Sequence, residues 1–172
     1  MHTKGVYQAA KGLLRTGAVV LRFNFRGVGR SAGAWDEGEG EMDDFRAALD
    51  FVAQRYPGVE LWAAGFSFGS WVALSVGAAD PRVDALIAIA PPLDQYDFSF
   101  LKNCAKPKFF LQGNMDEVCP IQKLREFYGQ LPEPKELLEI DGANHLFEGQ
   151  AGEVGEALED LLGDYSARGT SA

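Results

Sequence analysis

At 172 residues, 47% of them apolar, the chain has the size of one domain and enough apolar material to bury a core, so one globular unit over residues 1–172 is expected. Its 25 acidic against 16 basic residues give a net charge of -9, which repels phosphate backbones and argues against a nucleic-acid partner. Two cysteines, Cys104 and Cys119, are too few for a disulfide framework and too far apart for a metal-binding pair, and no stretch approaches the ~20 apolar residues that cross a bilayer. Free thiols, a cytoplasmic location and no membrane partner are expected, the segment Met1 to Arg15 lacking the apolar core of a signal peptide.

In chain order, helical spacing over Thr3 to Arg15 leads into an apolar, strand-like run at Ala18 to Phe23. An acidic patch, Asp36 to Glu41, reads as a surface loop before a helix over Glu41 to Arg55, where Met42, Phe45, Leu49 and Val52 form the buried stripe. Asp43, Asp44, Arg46 and Asp50 fall on its outer side, and Pro57 and Gly58 stop it. A strand at Val59 to Ala64 and a helix over Phe68 to Ala79 follow, then strands at Val83 to Ala90 and Lys108 to Leu111. A helix over Ile121 to Gln130, a weaker strand at Lys135 to Ile140 and a helix near Glu153 to Leu162 complete the pattern, with fraying expected after Asp164. This alternation predicts an α/β fold, a mostly parallel sheet of about five strands flanked by helices.

The strongest local signal is Gly65-Phe66-Ser67-Phe68-Gly69, between a predicted strand and a predicted helix. A tight strand-to-helix turn there holds a serine in a strained backbone conformation, and small residues on either side avoid clashes with strand and helix. Gly65 and Gly69 meet that demand, and the helix N-terminus favours negative charge developing beside Ser67. The plain alternative is a helix-capping serine in a close packing contact.

A serine hydroxyl needs a base, and histidine is the usual one. Of the two histidines, His2 lies at the terminus, whereas His145 sits in the turn-rich run Asp141-Gly142-Ala143-Asn144-His145 after the last strand. Loops after parallel strands gather at one sheet edge, so such a histidine is expected to reach a serine two strands away. The same logic selects Asp116, in Gln112-Gly113-Asn114-Met115-Asp116, ahead of Glu117, Asp141, Asp94 and Asp97. Ser67, Asp116 and His145 then run in the order nucleophile, acid, base. Each also has a structural reading, as a cap, a turn or a loop residue.

With these residues assembled, the sequence resembles the small, lidless bacterial α/β-hydrolases, relatives of the dienelactone-hydrolase-like esterases. The resemblance spans nearly the whole chain and includes Arg22-Phe23-Asn24-Phe25-Arg26-Gly27-Val28-Gly29-Arg30-Ser31, whose arginines can tie down carbonyls or acidic loops. It implies a minimal α/β-hydrolase fold with no cap domain, since only Pro91 to Pro107 separate the third and fourth strands. The implied activity is a serine carboxylesterase acting on short-chain acyl esters through a Ser67, His145 and Asp116 triad. Phe68 N–H supplies an oxyanion donor, Phe25, Phe66, Phe68 and Leu93 line an apolar cleft, and no metal or organic cofactor is called for.

Family members usually carry two or three strands ahead of the helix that here begins at Met1 to Lys4, and with them a loop that gives a second oxyanion donor. One such strand lies between the segments equivalent to Ala18 to Phe23 and Val59 to Ala64, so those two must pair directly or the gap must be filled, by a second subunit among other ways. Two expectations stand together: an active esterase, with a homo-oligomer as one possibility, or a weak, hydrolase-like binding module or fragment.

Overall fold

The computed structural model describes residues 3–169. Four strands, β1 (Leu61–Phe66), β2 (Val83–Ile89), β3 (Lys108–Gly113) and β4 (Lys135–Ile140), form one parallel sheet in the order β1-β2-β3-β4. The helices are α1 (Lys4–Arg15), α2 (Glu39–Arg55), α3 (Phe68–Ala79), α4 (Ile121–Gly129) and α5 (Ala151–Gly169), with a 3₁₀ turn at Ser99–Asn103.

A parallel strand covered on both faces reads as a nearly continuous apolar run, and β2 does: only the exposed Asp84 breaks Val-Asp-Ala-Leu-Ile-Ala-Ile, and its carboxylate accepts the Leu61 amide at 2.8 Å. Its side chains alternate between two cores. Leu86 and Ala88 face α2, α3 and α4, packing with Phe45, Leu74 and Leu124, whereas Ala85, Ile87 and Ile89 face α1 and α5, packing with Leu13, Leu158 and Leu162. Burying each such leucine contributes roughly 1.5–3 kcal/mol.

The predicted elements lie close to those observed, with three corrections. Ala18 to Phe23 makes no ladder, so the sheet has four strands rather than about five. A gap of about 420 Å³ separates it from β1, lined by Val19, Val20 and Leu21 on one side and Leu61, Trp62 and Ala64 on the other. Strand propensity is satisfied only by a partner within hydrogen-bonding distance, and among the described residues no strand pairs with this run. Second, α5 continues past Asp164 to Gly169, because Tyr165 packs edge-on against Phe109 and Trp62. Third, Asp44 is not turned outward and Glu41 is not a surface residue. Arg26 grips Asp44 through its amide and guanidinium at 2.8–3.2 Å, and the buried Glu41 carboxylate accepts the amides of Asp36 and Gly38. That Arg26 bond holds Asp44 below the usual carboxylate range. Met42 and Val52 of the predicted stripe are half-buried, Phe45 and Leu49 buried.

Among the described residues no helix is long and apolar enough to cross a membrane, and Cys104 and Cys119 are buried free thiols.

Helices α1 and α5 touch backbone to backbone: a Cβ at Gly12 would lie 2.1 Å from the Gly155 carbonyl oxygen. Gly12→Ala is therefore expected to lower stability by about 1–3 kcal/mol despite alanine's better helix propensity. Gly163→Ala, in open space on α5, is expected to raise it by about 0.5–1 kcal/mol. Urea unfolding monitored by circular dichroism measures both.

Candidate active site

Ser67, Asp116 and His145 each follow a strand at the carboxyl end of the sheet. Strand β1 ends at Phe66, and the chain reverses into α3 through Ser67, whose φ of 50° and ψ of -126° are costly for a residue with a side chain. Two contacts hold it there: the Ser67 amide donates to Ile89 O at the end of β2, at 2.8 Å, and the Ser67 carbonyl accepts the Ser70 amide and hydroxyl. Gly65 makes the turn possible, since a Cβ there would stand 2.0 Å from the Gly69 carbonyl oxygen. Gly69 itself is under no such demand, its nearest neighbour being a Phe25 ring carbon at 3.9 Å, which corrects the expectation that both glycines are needed.

His145 lies on the loop after β4, three strands from β1 rather than the two expected. At roughly 4.8 Å per strand the side chain must cross some 14 Å of sheet edge, and the loop folds back to do so. Gly113 at the end of β3 allows the approach, a Cβ there falling 2.3 Å from the Ala143 carbonyl oxygen. Met115 N donates to Ala143 O, and Asn114 bridges the two loops through Gly142 N and Asp141. Asn144 Oδ1 accepts the amides of Leu146 and Glu148, and the fully buried Phe147 anchors the far side under the Phe66 ring.

The outcome is a continuous row. Ser67 Oγ lies 2.9 Å from His145 Nε2, and His145 Nδ1 lies 2.8 Å from Asp116 Oδ2. His145 is 7% exposed and Asp116 5%, so the row is shielded from water along most of its length. Burial pushes the Asp116 carboxyl up, but the His145 bond and the amides of Cys119 and Val118 outweigh it, leaving Asp116 below the usual carboxylate range.

Of the rival carboxylates, Glu117 is exposed to solvent beside Asp116 in the chain, and the other three are engaged elsewhere. Asp141 accepts from Asn114 Nδ2, Asp94 pairs with Lys123, and Asp97 caps Ser99. Cys119 lies beside Asp116, but burial pushes its thiol up to about 11, the wrong direction for a nucleophile. Among the described residues no group of three His, Cys, Asp or Glu side chains is placed to hold a metal ion.

Of the residues expected to line the cleft, Phe66 packs its ring 5.5 Å from the His145 ring, and Phe25 lies 6.0 Å from Phe68. Leu93 is half-buried against the core beside the 3₁₀ turn. As the first residue of α3, Phe68 presents one of the four amides that have no acceptor within the helix. His2 lies outside the described residues.

Sequence reasoning missed two contributors. Trp35, 56% exposed, lays its ring 4.7 Å from Phe68, on the loop that Arg26 ties to α2. Gln112, fully buried, donates to Asp116 Oδ2 at 2.7 Å and to Cys119 O at 2.9 Å. Its signal was available, as a lone amide closing the apolar run Phe109-Phe110-Leu111.

Residues 1–106 match the family described as serine aminopeptidase, S33. An uncharacterised protein of Rickettsia prowazekii is 39% identical over 171 residues, spanning 94% of this chain and 72% of its own length. An alpha-beta serine hydrolase homologue from Coxiella burnetii superposes with a TM-score of 0.88 at 39% identity, over 94% of this chain and 77% of that one. A serine hydrolase without a lid from Xanthomonas campestris gives 0.84 at 38% identity, over 93% of this chain and 72% of that one.

The geometry makes one carboxylate, not its neighbour in the histidine loop, the partner of His145. In proton NMR the hydrogen-bonded His145 Nδ1 proton is expected as a separate downfield resonance that Asp116→Asn removes or displaces and Asp141→Asn leaves in place.

Proposed function

The chain belongs to the α/β-hydrolase superfamily and to the family described as serine aminopeptidase, S33, and on that footing we propose that it is a serine esterase hydrolysing short-chain acyl esters. The observation that carries the reading is the row Ser67–His145–Asp116, two hydrogen bonds of 2.9 and 2.8 Å starting from a serine held at a φ of 50°.

In this reading His145 Nε2 takes the Ser67 proton as Oγ attacks the ester carbonyl. The carbonyl oxygen gathers negative charge at the N-terminus of α3, where Phe68 N–H donates to it. His145 then hands its proton to the departing alcohol, leaving Ser67 acylated. A water deprotonated by His145 attacks the acyl carbon, and Ser67 recovers its proton as the acid leaves. Asp116 accepts the Nδ1 hydrogen throughout, which fixes the tautomer and offsets the charge on the imidazolium.

Small substrates are favoured by what surrounds the row. The chain between β2 and β3 runs from residue 90 to 107 with one short 3₁₀ turn, too little for a lid domain. Met115, 66% exposed, and Leu146, 44% exposed, flank Asp116 and His145 in open solvent. An open cleft of this kind grips little of a long acyl chain.

The test is hydrolysis of p-nitrophenyl acetate through octanoate by wild type and Ser67→Ala, beside an aminoacyl p-nitroanilide, with gel filtration to establish folding and oligomeric state. Turnover of the short esters, reduced at least about a thousandfold in Ser67→Ala, is expected. Equal inactivity of two folded proteins overturns the reading in favour of a hydrolase-like binding module, and preference for the anilide makes the enzyme a peptidase.

The pH dependence follows from the same row. The base must be neutral to accept a proton, so kcat/KM is expected to rise with pH to a plateau. Asp116 contributes no limb of its own there, because its ionisation lies below the usual carboxylate range. A profile with no such rise counts against His145 as the base.

A further inference from the structure

We propose that Gln112 is a positioning residue for the hydrolysis, acting through Asp116 on His145; the inference rests on the roles just proposed for Ser67, His145 and Asp116.

Gln112 is the penultimate residue of β3 and is fully buried. The orientation of its amide follows from its neighbours. Both atoms near Nε2, Asp116 Oδ2 at 2.7 Å and Cys119 O at 2.9 Å, are acceptors, so the NH₂ end must face them. Both hydrogens are thereby spent on the loop that carries Asp116. The Oε1 end has no protein donor among the described residues, so nothing on that side competes to set the orientation.

The consequence for Asp116 is a division of labour between its oxygens. Oδ1 accepts the amides of Val118 and Cys119, at 2.8 and 2.9 Å, which belong to the same loop and move with it. Oδ2 accepts the His145 Nδ1 hydrogen and the Gln112 hydrogen. Gln112 is thus the contact that ties the functional oxygen to the rigid sheet rather than to the loop. It also tempers that oxygen: a donated hydrogen bond stabilises the carboxylate, so without it Asp116 pulls harder on the Nδ1 proton and favours the imidazolium. The titratable groups nearby are Cys119, the Asp94–Lys123 ion pair beyond it, the exposed Glu117 next to Asp116 in the chain and Glu148, which accepts from Asn144, while Oδ2 takes its hydrogen bonds from His145 and Gln112.

The test is a double-mutant cycle of Gln112→Met and Asp116→Asn on a p-nitrophenyl butyrate assay, with Gln112→Asn, whose amide is one methylene too short, where methionine does not fold. Gln112→Met is expected to lower kcat about tenfold, the worth of one hydrogen bond to a charged group, with KM within about twofold. The acid limb of kcat/KM moves to higher pH, and in the Asp116→Asn background the same substitution costs almost nothing. An unchanged kcat, an unmoved limb, or an equal loss in both backgrounds overturns the proposal. If wild type shows no Ser67-dependent hydrolysis, the reading of the site fails on its own account and the His145 Nδ1 proton resonance decides. A displaced resonance in Gln112→Met supports positioning through Asp116, and an unmoved one overturns it.

Discussion

The site begins with a backbone conformation that only close packing can hold. Ser67 occupies a region of φ and ψ that costs of order 1–3 kcal/mol, and the chain stays there because Gly65 lets β1 and the first turn of α3 meet backbone to backbone. The bond from Ser67 N to Ile89 O then fastens the turn to the next strand. The hydroxyl makes no helix-cap hydrogen bond, and α3 starts at the next residue, Phe68, its first amides lacking acceptors within the helix. The two cores on either side of β2 keep strand and helix from relaxing apart.

From that fixed serine the rest is a problem of distance. The proposed base and acid sit on loops after β4 and β3, and the sheet order leaves the last strand farthest from Ser67. Cross-bracing solves this: Asn114 and Met115 hold the Ala143 turn, Gly113 lets it approach, and Phe147 pins its return. A buried carboxylate survives there because donors surround it, from Val118, Cys119, Gln112 and His145, so the cost of removing it from water is met by hydrogen bonds to the ionised form.

The loop before α2 plays a different part. Arg26 joins Asp44, and Glu41 gathers the amides of Asp36 and Gly38, so a glycine-rich segment is held against the aromatic cluster around Phe68. These polar contacts are half-buried to buried, and they shape one wall beside the proposed nucleophile without entering the row itself. The gap next to β1 is separate, lined by apolar side chains of α2, β1 and the run before Phe23.

Much of this was legible in the chain because its signals are local. Helix α3 and strand β4 fall on the residues their spacing predicts, and Gly65-Phe66-Ser67-Phe68-Gly69 announces the turn because a tight turn restricts residue size within a few positions. The order of Ser67, Asp116 and His145 along the sequence pointed to the same three residues that the structure brings within hydrogen-bonding distance. What the sequence could not determine depends on groups far apart in the chain. Ala18 to Phe23 carries strand propensity, but a strand exists only where a partner backbone stands beside it. Asp44 looked like a solvent-facing charge until Arg26, 18 residues away, was seen to fold onto it. Gln112 has no partner in its own strand, and only the folding back of the next loop makes it a donor to Asp116. Periodicity and residue size are properties of neighbours in sequence, whereas a hydrogen-bond partner is a property of neighbours in space.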